Sequence, residues 1–373
     1  MAKRLLYVDL ARTLAVVLAL CAHSFYSTGL MAKLGSGSLY LTQFVHLATP
    51  MFIFMFGFMI EYVYVRQVKE GRGAETVKRL LARSLQCYLC YALTALAGVL
   101  GGWYSFGQLF DALLFLEHAR FGNILRIYTL LMLLAPFLIL LRLRWGAGVP
   151  WLLLILVLGS FPLLSHWHAH VWGLHPQLAN LLVGTGPVLS GPSTWHAASF
   201  ALAGMCIASC STPERANEPR AFVLAGLGLL CVAAAMTALF AQQSLLAVWQ
   251  DFSSAQYRHL NALNYYTIGI ATSTLLLLAT RGLQYAFDLA PKVSGLLPLG
   301  RASLLAYTAG NVFLNLFTPY ELSLPGSIAF IVVFFVSVLA VATWTQKLPY
   351  YEHIRYVLNL GVVSRRRTVT PAG

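Results

Sequence analysis

The feature that most constrains this chain is a series of apolar segments, each about 20 residues long. A helix of roughly that length spans the ~30 Å hydrocarbon core of a bilayer. A soluble domain of this size would need a polar shell, yet only 10% of the residues are charged and the mean hydropathy is +0.72. The sequence therefore predicts an all-α, multi-pass membrane protein. It excludes a disordered chain, a secreted disulfide scaffold and a soluble nucleic-acid binder.

Ten candidate transmembrane segments follow one another along the chain. They cover residues 8–28, 42–65, 84–104, 124–141, 149–165, 193–210, 221–241, 262–280, 295–317 and 325–346. With the N-terminus in the cytoplasm, most basic residues fall on that side, and four fall outside: Lys33, Arg120, Arg126 and Arg258. Because positive residues concentrate in cytoplasmic loops, this segregation predicts an even number of spans with both termini cytoplasmic. No linker divides the chain, which indicates one domain over residues 1–373 in the lipid bilayer.

The first segment carries three ionisable residues, Asp9, Arg12 and His23. Such groups are costly inside a bilayer and indicate function by default. The eleven-residue step from Arg12 to His23 is three helical turns plus about 20°, so both project from one face about 16 Å apart. Asp9 lies one turn before Arg12 and is placed to hold its guanidinium. One helix face therefore connects a cation to a histidine.

These residue types suit the transfer of an acyl group. An unperturbed imidazole titrates near pH 6.5, so His23 is suited to take a proton from a hydroxyl and return it, or to carry an acyl group itself. Arg12 is suited to orient an anionic or carbonyl-bearing donor. The alternative is a structural histidine satisfied by a backbone carbonyl or water.

A basic run follows the second segment and includes Lys78, Arg79 and Arg83. Arg79 and Arg83 are spaced i,i+4 and share a helix face. A cluster of this kind attracts phosphate groups such as those of coenzyme A. Membrane topology and anionic-lipid binding are the alternative explanation of a basic loop beside a membrane.

Several stretches resemble the acyltransferase family 3 membrane enzymes. Arg12, ten intervening residues and His23 resemble the R-X10-H motif of the family's first helix. The aromatic run 50–58 resembles its second helix, and residues 78–83 resemble the basic start of its third. Two further stretches, 124–136 and 299–304, look closer to the OpgC-type branch, which succinylates osmoregulated periplasmic glucans.

The chain departs from the family pattern at particular positions. Phe56 stands where serine is usual before the glycine, and the basic pair is spaced RxxxR where RxxR is common. Gly310 and Asn311 lie near a position often held by histidine. Arg12 and His23 themselves match the motif.

The resemblance implies a ten-helix enzyme of the bacterial inner membrane that moves a succinyl or acetyl group from cytoplasmic acyl-CoA to a hydroxyl of a glycan. His23 would be the base or acyl relay, with Arg12 as its partner and Asp9 beside it. Substrate contacts would come from Lys78, Arg79, Arg83, Arg126, Tyr128, Arg301 and Ser303. Acyl-CoA is then a co-substrate, and no bound cofactor, metal or nucleic acid is expected.

A second class of function remains open, a proton-coupled transporter or lipid-glycan flippase. Its relay would consist of Asp9, Arg12, His23 and Glu61. Such a transporter would show broken helices in symmetry-related places. An acyl-CoA enzyme needs a cytoplasmic basic pocket opposite a buried base, and the sequence fits this second pattern better.

Two loops on the predicted outer side carry further candidate residues. The stretch 166–175 contains four histidines without a nearby carboxylate. A metal site, a sugar-binding surface and a loop lying at the membrane interface all remain open for it. Glu117, His118 and Arg120 fit either contacts to the acceptor or ordinary surface charge.

Overall fold

The computed structural model describes residues 5–35, 38–165, 173, 175–185, 191–210, 219–240, 244, 247–248, 250, 252, 256–318 and 322–347. Within these ranges the chain forms helices and turns and contains no strand. The predicted all-α class is therefore confirmed for the described part of the chain. His166, His168 and His170 of the histidine-rich loop lie outside it.

Helices occupy all ten segments predicted from the sequence. They are α1 (Leu6–Ser27), α2 (Ala48–Met59, continued by the π-helical Ile60–Val65 and by Arg66–Lys69), α3 (Gly73–Leu100), α4 (Asn123–Trp145), α5 (Val149–Gly159), α6 (Thr194–Ser209), α7 (Pro219–Phe240), α8 (Leu263–Phe287), α9 (Ser303–Phe317) and α10 (Leu324–Lys347). Shorter helices lie between them at Leu30–Lys33, Ser38–His46, Phe106–Leu113, Phe161–Ser165, Pro176–Val183, Gln256–His259, Leu289–Lys292 and Leu297–Arg301.

Six helices in the described ranges are long and apolar enough to cross a membrane. They are Leu6–Ser27, Tyr40–Lys69, Gly73–Leu100, Asn123–Trp145, Pro219–Leu239 and Leu324–Lys347. Large apolar side chains point outward from several of them, including Leu89, Leu93, Phe137, Leu140, Val332 and Val336. Extensive apolar surface of this kind suits contact with lipid. The protein is a multi-pass membrane protein, while ten crossings with both termini in the cytoplasm remain a prediction.

Two predicted segments differ in detail from the helices that occupy them. α3 begins at Gly73, so the basic run lies on the helix itself. The segment 295–317 is divided at Ala302 into Leu297–Arg301 and α9. Close packing accompanies this division, because a Cβ added at Gly300 would lie 2.3 Å from Thr13 Oγ1 of α1. The backbone before the break therefore lies directly against the first helix.

α1 is the central helix of the bundle. It packs against α2, α8, α9, α10 and the short helix Leu297–Arg301. Buried residues, among them Val8, Ala15 and Leu20, surround most of its circumference. Gly29 follows the helix in a left-handed conformation (φ 63°), which glycine adopts readily at helix ends. The neighbours of α1 direct its charged face towards protein rather than lipid.

The two ends of the bundle are defined by contacts with α1. At one end Arg301 lies beside Asp9, and Gln346 Nε2 donates a hydrogen bond to the Pro298 carbonyl oxygen (3.1 Å). At the other end Arg120 Nη2 donates to Ser27 Oγ (3.2 Å). We call these the Leu6 end and the Ser27 end. The start of α1 and the end of α10 therefore lie on one side, which the topology prediction assigns to the cytoplasm.

Small residues bring α2 and α6 into backbone contact. A Cβ added at Gly57 would lie 1.8 Å from the Ala201 carbonyl oxygen, and one added at Gly204 would lie 2.0 Å from the Phe54 carbonyl oxygen. Helices in membranes associate through such close approaches, because burial of apolar surface gives little driving force in lipid. The glycine of the aromatic run 50–58 is therefore a packing residue.

We expect Gly57→Ala to destabilise the protein by about 1–3 kcal/mol, since the added methyl group must force two helix backbones apart. Thermal unfolding in detergent, followed by circular dichroism, measures the effect. Gly282→Ala on α8 is the matched control, because a Cβ there meets nothing within 4 Å. Equal melting temperatures for the two variants would show that α2 and α6 do not require this contact.

Candidate active site

The Leu6 end of the site lies where the helix break at Ala302 packs against α1. Arg12 Nη2 donates a hydrogen bond to Ser303 Oγ at 2.8 Å. Asp9 Oδ2 lies 3.9 Å from Arg301 Nε. The residues on either side of the helix break thus contact the two charged residues of α1. The structure brings four of the predicted site residues together here.

The three predicted basic residues of α3 have different environments. Arg83 is half-buried and interacts electrostatically with Arg12. Arg79 forms an i,i+4 ion pair with Glu75, and Lys78 is exposed. Arg83 therefore extends the positive charge of the Leu6 end towards Arg12, whereas Arg79 is neutralised on its own helix.

The Ser27 end of the site is centred on His23, four residues before α1 ends. His23 Nδ1 lies 2.8 Å from Asn311 Oδ1 of α9. The imidazole stacks on the ring of Phe121, with centroids 4.6 Å apart, and meets the edge of Tyr307 at 5.5 Å. His23 as a whole residue is half-buried.

The amide of Asn311 determines the protonation pattern of His23. Asn311 Nδ2 donates to the Phe121 carbonyl oxygen at 3.1 Å, so Asn311 Oδ1 is the atom that faces the imidazole. A carbonyl oxygen only accepts hydrogen bonds, and therefore Nδ1 carries the proton in the neutral ring. Nε2 has no hydrogen-bond partner among the described residues. The lone pair on Nε2 is left to accept a proton.

Phe121, which contacts both His23 and Asn311, has a left-handed backbone conformation (φ 64°) that is uncommon for a bulky residue. Its carbonyl oxygen accepts hydrogen bonds from the Tyr307 hydroxyl (2.8 Å) and from the Asn311 amide (3.1 Å). Strained backbone of this kind persists where surrounding contacts over-determine it, commonly at functional sites. Phe121 therefore couples the loop before α4 to the histidine.

Aromatic side chains connect the two ends of the site. Tyr128 interacts electrostatically with Arg12, and its hydroxyl donates to the Phe52 carbonyl oxygen. The rings of Tyr128 and Phe52 lie 6.5 Å apart, those of Phe52 and Tyr307 lie 5.8 Å apart, and Tyr307 contacts His23. The interval of about 16 Å between Arg12 and His23 is thus bordered by aromatic residues of α2, α4 and α9.

Arg126 lies at the Ser27 end, apart from the Arg12 group. It is 3% exposed, and its guanidinium donates to the Glu117 carbonyl oxygen (3.5 Å) and to Asn123 Oδ1 (3.3 Å). These contacts tie the loop before α4 to the first turn of that helix. Arg126 therefore supports the loop that carries Phe121.

Glu61 is bound within the bundle by Arg142. Arg142 Nη2 lies 2.6 Å from Glu61 Oε1, and Arg142 Nε contacts both carboxylate oxygens at 3.0–3.1 Å. Both side chains are buried, and the pair joins the π-helical turn of α2 to α4. Buried ion pairs need such complete hydrogen bonding. The pair therefore holds α2 against α4.

Two residues of the His23 environment had weak or no signals in the sequence. Asn311 was visible only as a departure from a histidine pattern, and Phe121 had no signal because its role depends on a tertiary contact. Among the described residues, no group of three His, Cys, Asp or Glu side chains could hold a metal ion.

We expect Asn311→Leu to lower the turnover rate roughly 100-fold, because a misoriented catalytic group costs about that much. Leucine has a similar shape but neither accepts from His23 Nδ1 nor donates to Phe121. Steady-state kinetics should show the loss in kcat with little change in the KM of either substrate. Tyr307→Phe removes only one hydrogen bond to Phe121 and should retain more activity. Full turnover by Asn311→Leu would overturn the tautomer assignment.

The fold and the site define a class: a helical membrane protein whose central helix presents an arginine and a histidine to neighbouring helices of the bundle. A family model described as an acyltransferase domain matches residues 5–346. The chain belongs to this family and is a membrane acyltransferase, as the R-X10-H resemblance predicted. No curated protein matches the sequence.

Proposed function

We propose that the protein is an acyl-CoA-dependent O-acyltransferase of the bacterial inner membrane that transfers a succinyl or acetyl group to a hydroxyl of a glycan. The observation that carries this proposal is the half-buried His23, whose Nδ1–H donates a hydrogen bond to Asn311 Oδ1. This tautomer leaves Nε2 as the base. A hydroxyl nucleophile needs such a base, since it is weak while protonated.

The proposed reaction uses this geometry in two steps. The acceptor hydroxyl gives its proton to His23 Nε2 as its oxygen attacks the thioester carbonyl carbon. The tetrahedral intermediate collapses, the C–S bond breaks, and the thiolate of coenzyme A takes the proton back from the imidazolium. The Asn311 oxygen accepts a hydrogen bond from Nδ1–H throughout and stabilises the cationic ring.

The separation between Arg12 and His23 is consistent with coenzyme A as the donor. The anchoring cations lie at the Leu6 end, about 16 Å along α1 from the base. A donor bound by both must join an anionic head to its reactive carbonyl through a long arm, as the pantetheine of coenzyme A does. Arg12 and Arg83 would hold the phosphates through charge-assisted hydrogen bonds.

Arg83→Gln is expected to raise the KM for acyl-CoA about tenfold, since a hydrogen bond to a charged group contributes at least about 1.5 kcal/mol. The KM for the acceptor should not change. Arg144→Gln is the matched control, because Arg144 is an exposed arginine at the end of α4, on the same predicted side. Equal increases in both KM values would indicate a defect of folding instead of donor binding.

The proposed function is tested by incubating the purified full chain in nanodiscs with succinyl-CoA or acetyl-CoA and a gluco-oligosaccharide. Mass spectrometry of the oligosaccharide should show the mass increment of one acyl group and name the donor that is used. Comparison of periplasmic and surface glycans from cells with and without the protein identifies the natural acceptor. Unmodified glycans in both experiments would exclude glycan acylation.

A further inference from the structure

A cavity of about 430 Å³ lies at the Ser27 end, between the turn after α3 and the loop before α4. It is lined by Trp103, Tyr104, His118, Ala119, Arg120, Phe121 and Asn123. Its volume falls within the roughly 300–1,000 Å³ range of small-molecule sites. The side chains of Trp103, Tyr104 and Arg120 are half-buried, so part of each faces open space.

The cavity adjoins His23 through a series of stacked side chains. The Arg120 guanidinium carbon lies 3.4 Å from the ring centroid of Trp103 and 4.6 Å from that of Phe121. Phe121 lines the cavity and also stacks on the His23 imidazole. Phe121 therefore borders both the cavity and the base.

The chemistry of the lining suits a saccharide. Flat aromatic rings with polar edges pack against the C–H faces of sugar rings, as tryptophan and tyrosine do where one side is apolar and the other wet. Asn123 and His118 add neutral polar side chains to this lining, while the Tyr104 hydroxyl itself is buried against Gly98. Burial and the nearby Arg126 lower the pKa of His118 to about 4, and burial raises the pKa of Tyr104 to about 12. Both side chains are thus uncharged at pH 7.

We propose that this cavity binds the sugar unit of the acceptor and presents its hydroxyl to His23 past Phe121, an inference that rests on the proposed function. Arg120 is the charged residue of the lining, and no acidic side chain is among the described lining residues. The site therefore selects neutral or anionic sugars over those that carry an ammonium group. Glu117, which precedes this lining, is not one of its members.

The proposal is tested with the full chain in nanodiscs, a glucose tetrasaccharide as acceptor and acyl-CoA as donor. Trp103→Leu should raise the acceptor KM at least about fivefold, as truncation of an aromatic anchor does, while the donor KM stays constant. Trp103→Phe keeps an aromatic face and should have a smaller effect. Trp344→Leu is the matched control, because Trp344 is 65% exposed on α10.

A binding measurement without donor separates this inference from the proposed function. Thermophoresis should show that the wild type binds the glucose tetrasaccharide more tightly than a chitosan tetramer, and that Arg120→Gln reduces this difference.

The outcomes distinguish the two proposals. If the wild type transfers acyl groups but Trp103→Leu and Trp344→Leu have the same KM for the acceptor, the cavity is not the acceptor site and the proposed function stands. If the tetrasaccharide binds in a Trp103-dependent way but no acyl group is transferred, the cavity still binds sugar and the proposed acyl transfer to glycans is wrong. Should Trp103→Leu fail to fold, Tyr104→Leu takes its place in both assays.

Discussion

Replacing His23 with glutamine is expected to reduce acyl transfer at least about 100-fold, the lower range of what a positioned general base contributes. The glutamine amide still offers a donor to Asn311 Oδ1, so the hydrogen bond between α1 and α9 can persist. It has no nitrogen lone pair that accepts a proton. The loss should therefore appear in kcat, and the KM for acyl-CoA should stay close to that of the wild type.

The matched control is His46→Gln. His46 lies in the helix Ser38–His46, bound to the Tyr26 hydroxyl (3.0 Å) and to the Phe252 carbonyl oxygen (3.3 Å). It is a buried histidine outside the site, and its replacement should leave the turnover of the folded protein close to that of the wild type. Unimpaired transfer by His23→Gln, in protein with the wild-type melting temperature, would contradict the role of Nε2 as base.

Arg12→Ala should cause a loss of similar size, about 100-fold or more in kcat/KM, because Arg12 is half-buried and hydrogen-bonded, and truncation of a hydrogen-bonded charged group costs about 2–5 kcal/mol. Arg12 donates to Ser303 and interacts with Arg83 and Tyr128, so its removal affects both donor binding and the positioning of α9. Arg12→Lys keeps the charge without the planar fork and should restore only part of the activity.

Ser303→Ala separates the two effects of Arg12. This variant removes the hydroxyl that positions the guanidinium but keeps the charge, and we expect a decrease of about tenfold or less, the value of one hydrogen bond. Kinetics at varied acyl-CoA concentration measure the donor KM for all three variants. Wild-type kinetics in Arg12→Ala would exclude Arg12 from the site, whereas equal losses for Arg12→Ala and Ser303→Ala would indicate that the hydroxyl is the essential group.

The helices of this protein were predictable because each meets a strong local requirement. A segment that crosses lipid must be apolar over about 20 residues and must satisfy its backbone internally, so length and composition reveal it. All ten predicted segments contain helices. The division at Ala302 was not predictable, because it accompanies the close approach of Gly300 to Thr13 on another helix.

The candidate site was predictable in part for the same reason. Arg12 and His23 lie on one helix, where the period of 3.6 residues determines which side chains share a face. Contacts between helices carried no such signal. Asn311 lies 288 residues from His23, and the sequence does not reveal that its amide orients the imidazole. Similarly, the Trp103–Arg120–Phe121 stack joins two loops whose relative position depends on the packing of α3 and α4.

By itself, the amino-acid sequence determined that the chain is a helical membrane protein and that its first helix carries an arginine and a histidine on one face. Both follow from local properties, the cost of polar groups in hydrocarbon and the geometry of a single helix. Only the tertiary structure decided which nitrogen of His23 faces Asn311 and which cavity Phe121 borders. These depend on hydrogen bonds and ring contacts between distant segments, whose directions are set only when the helices are packed.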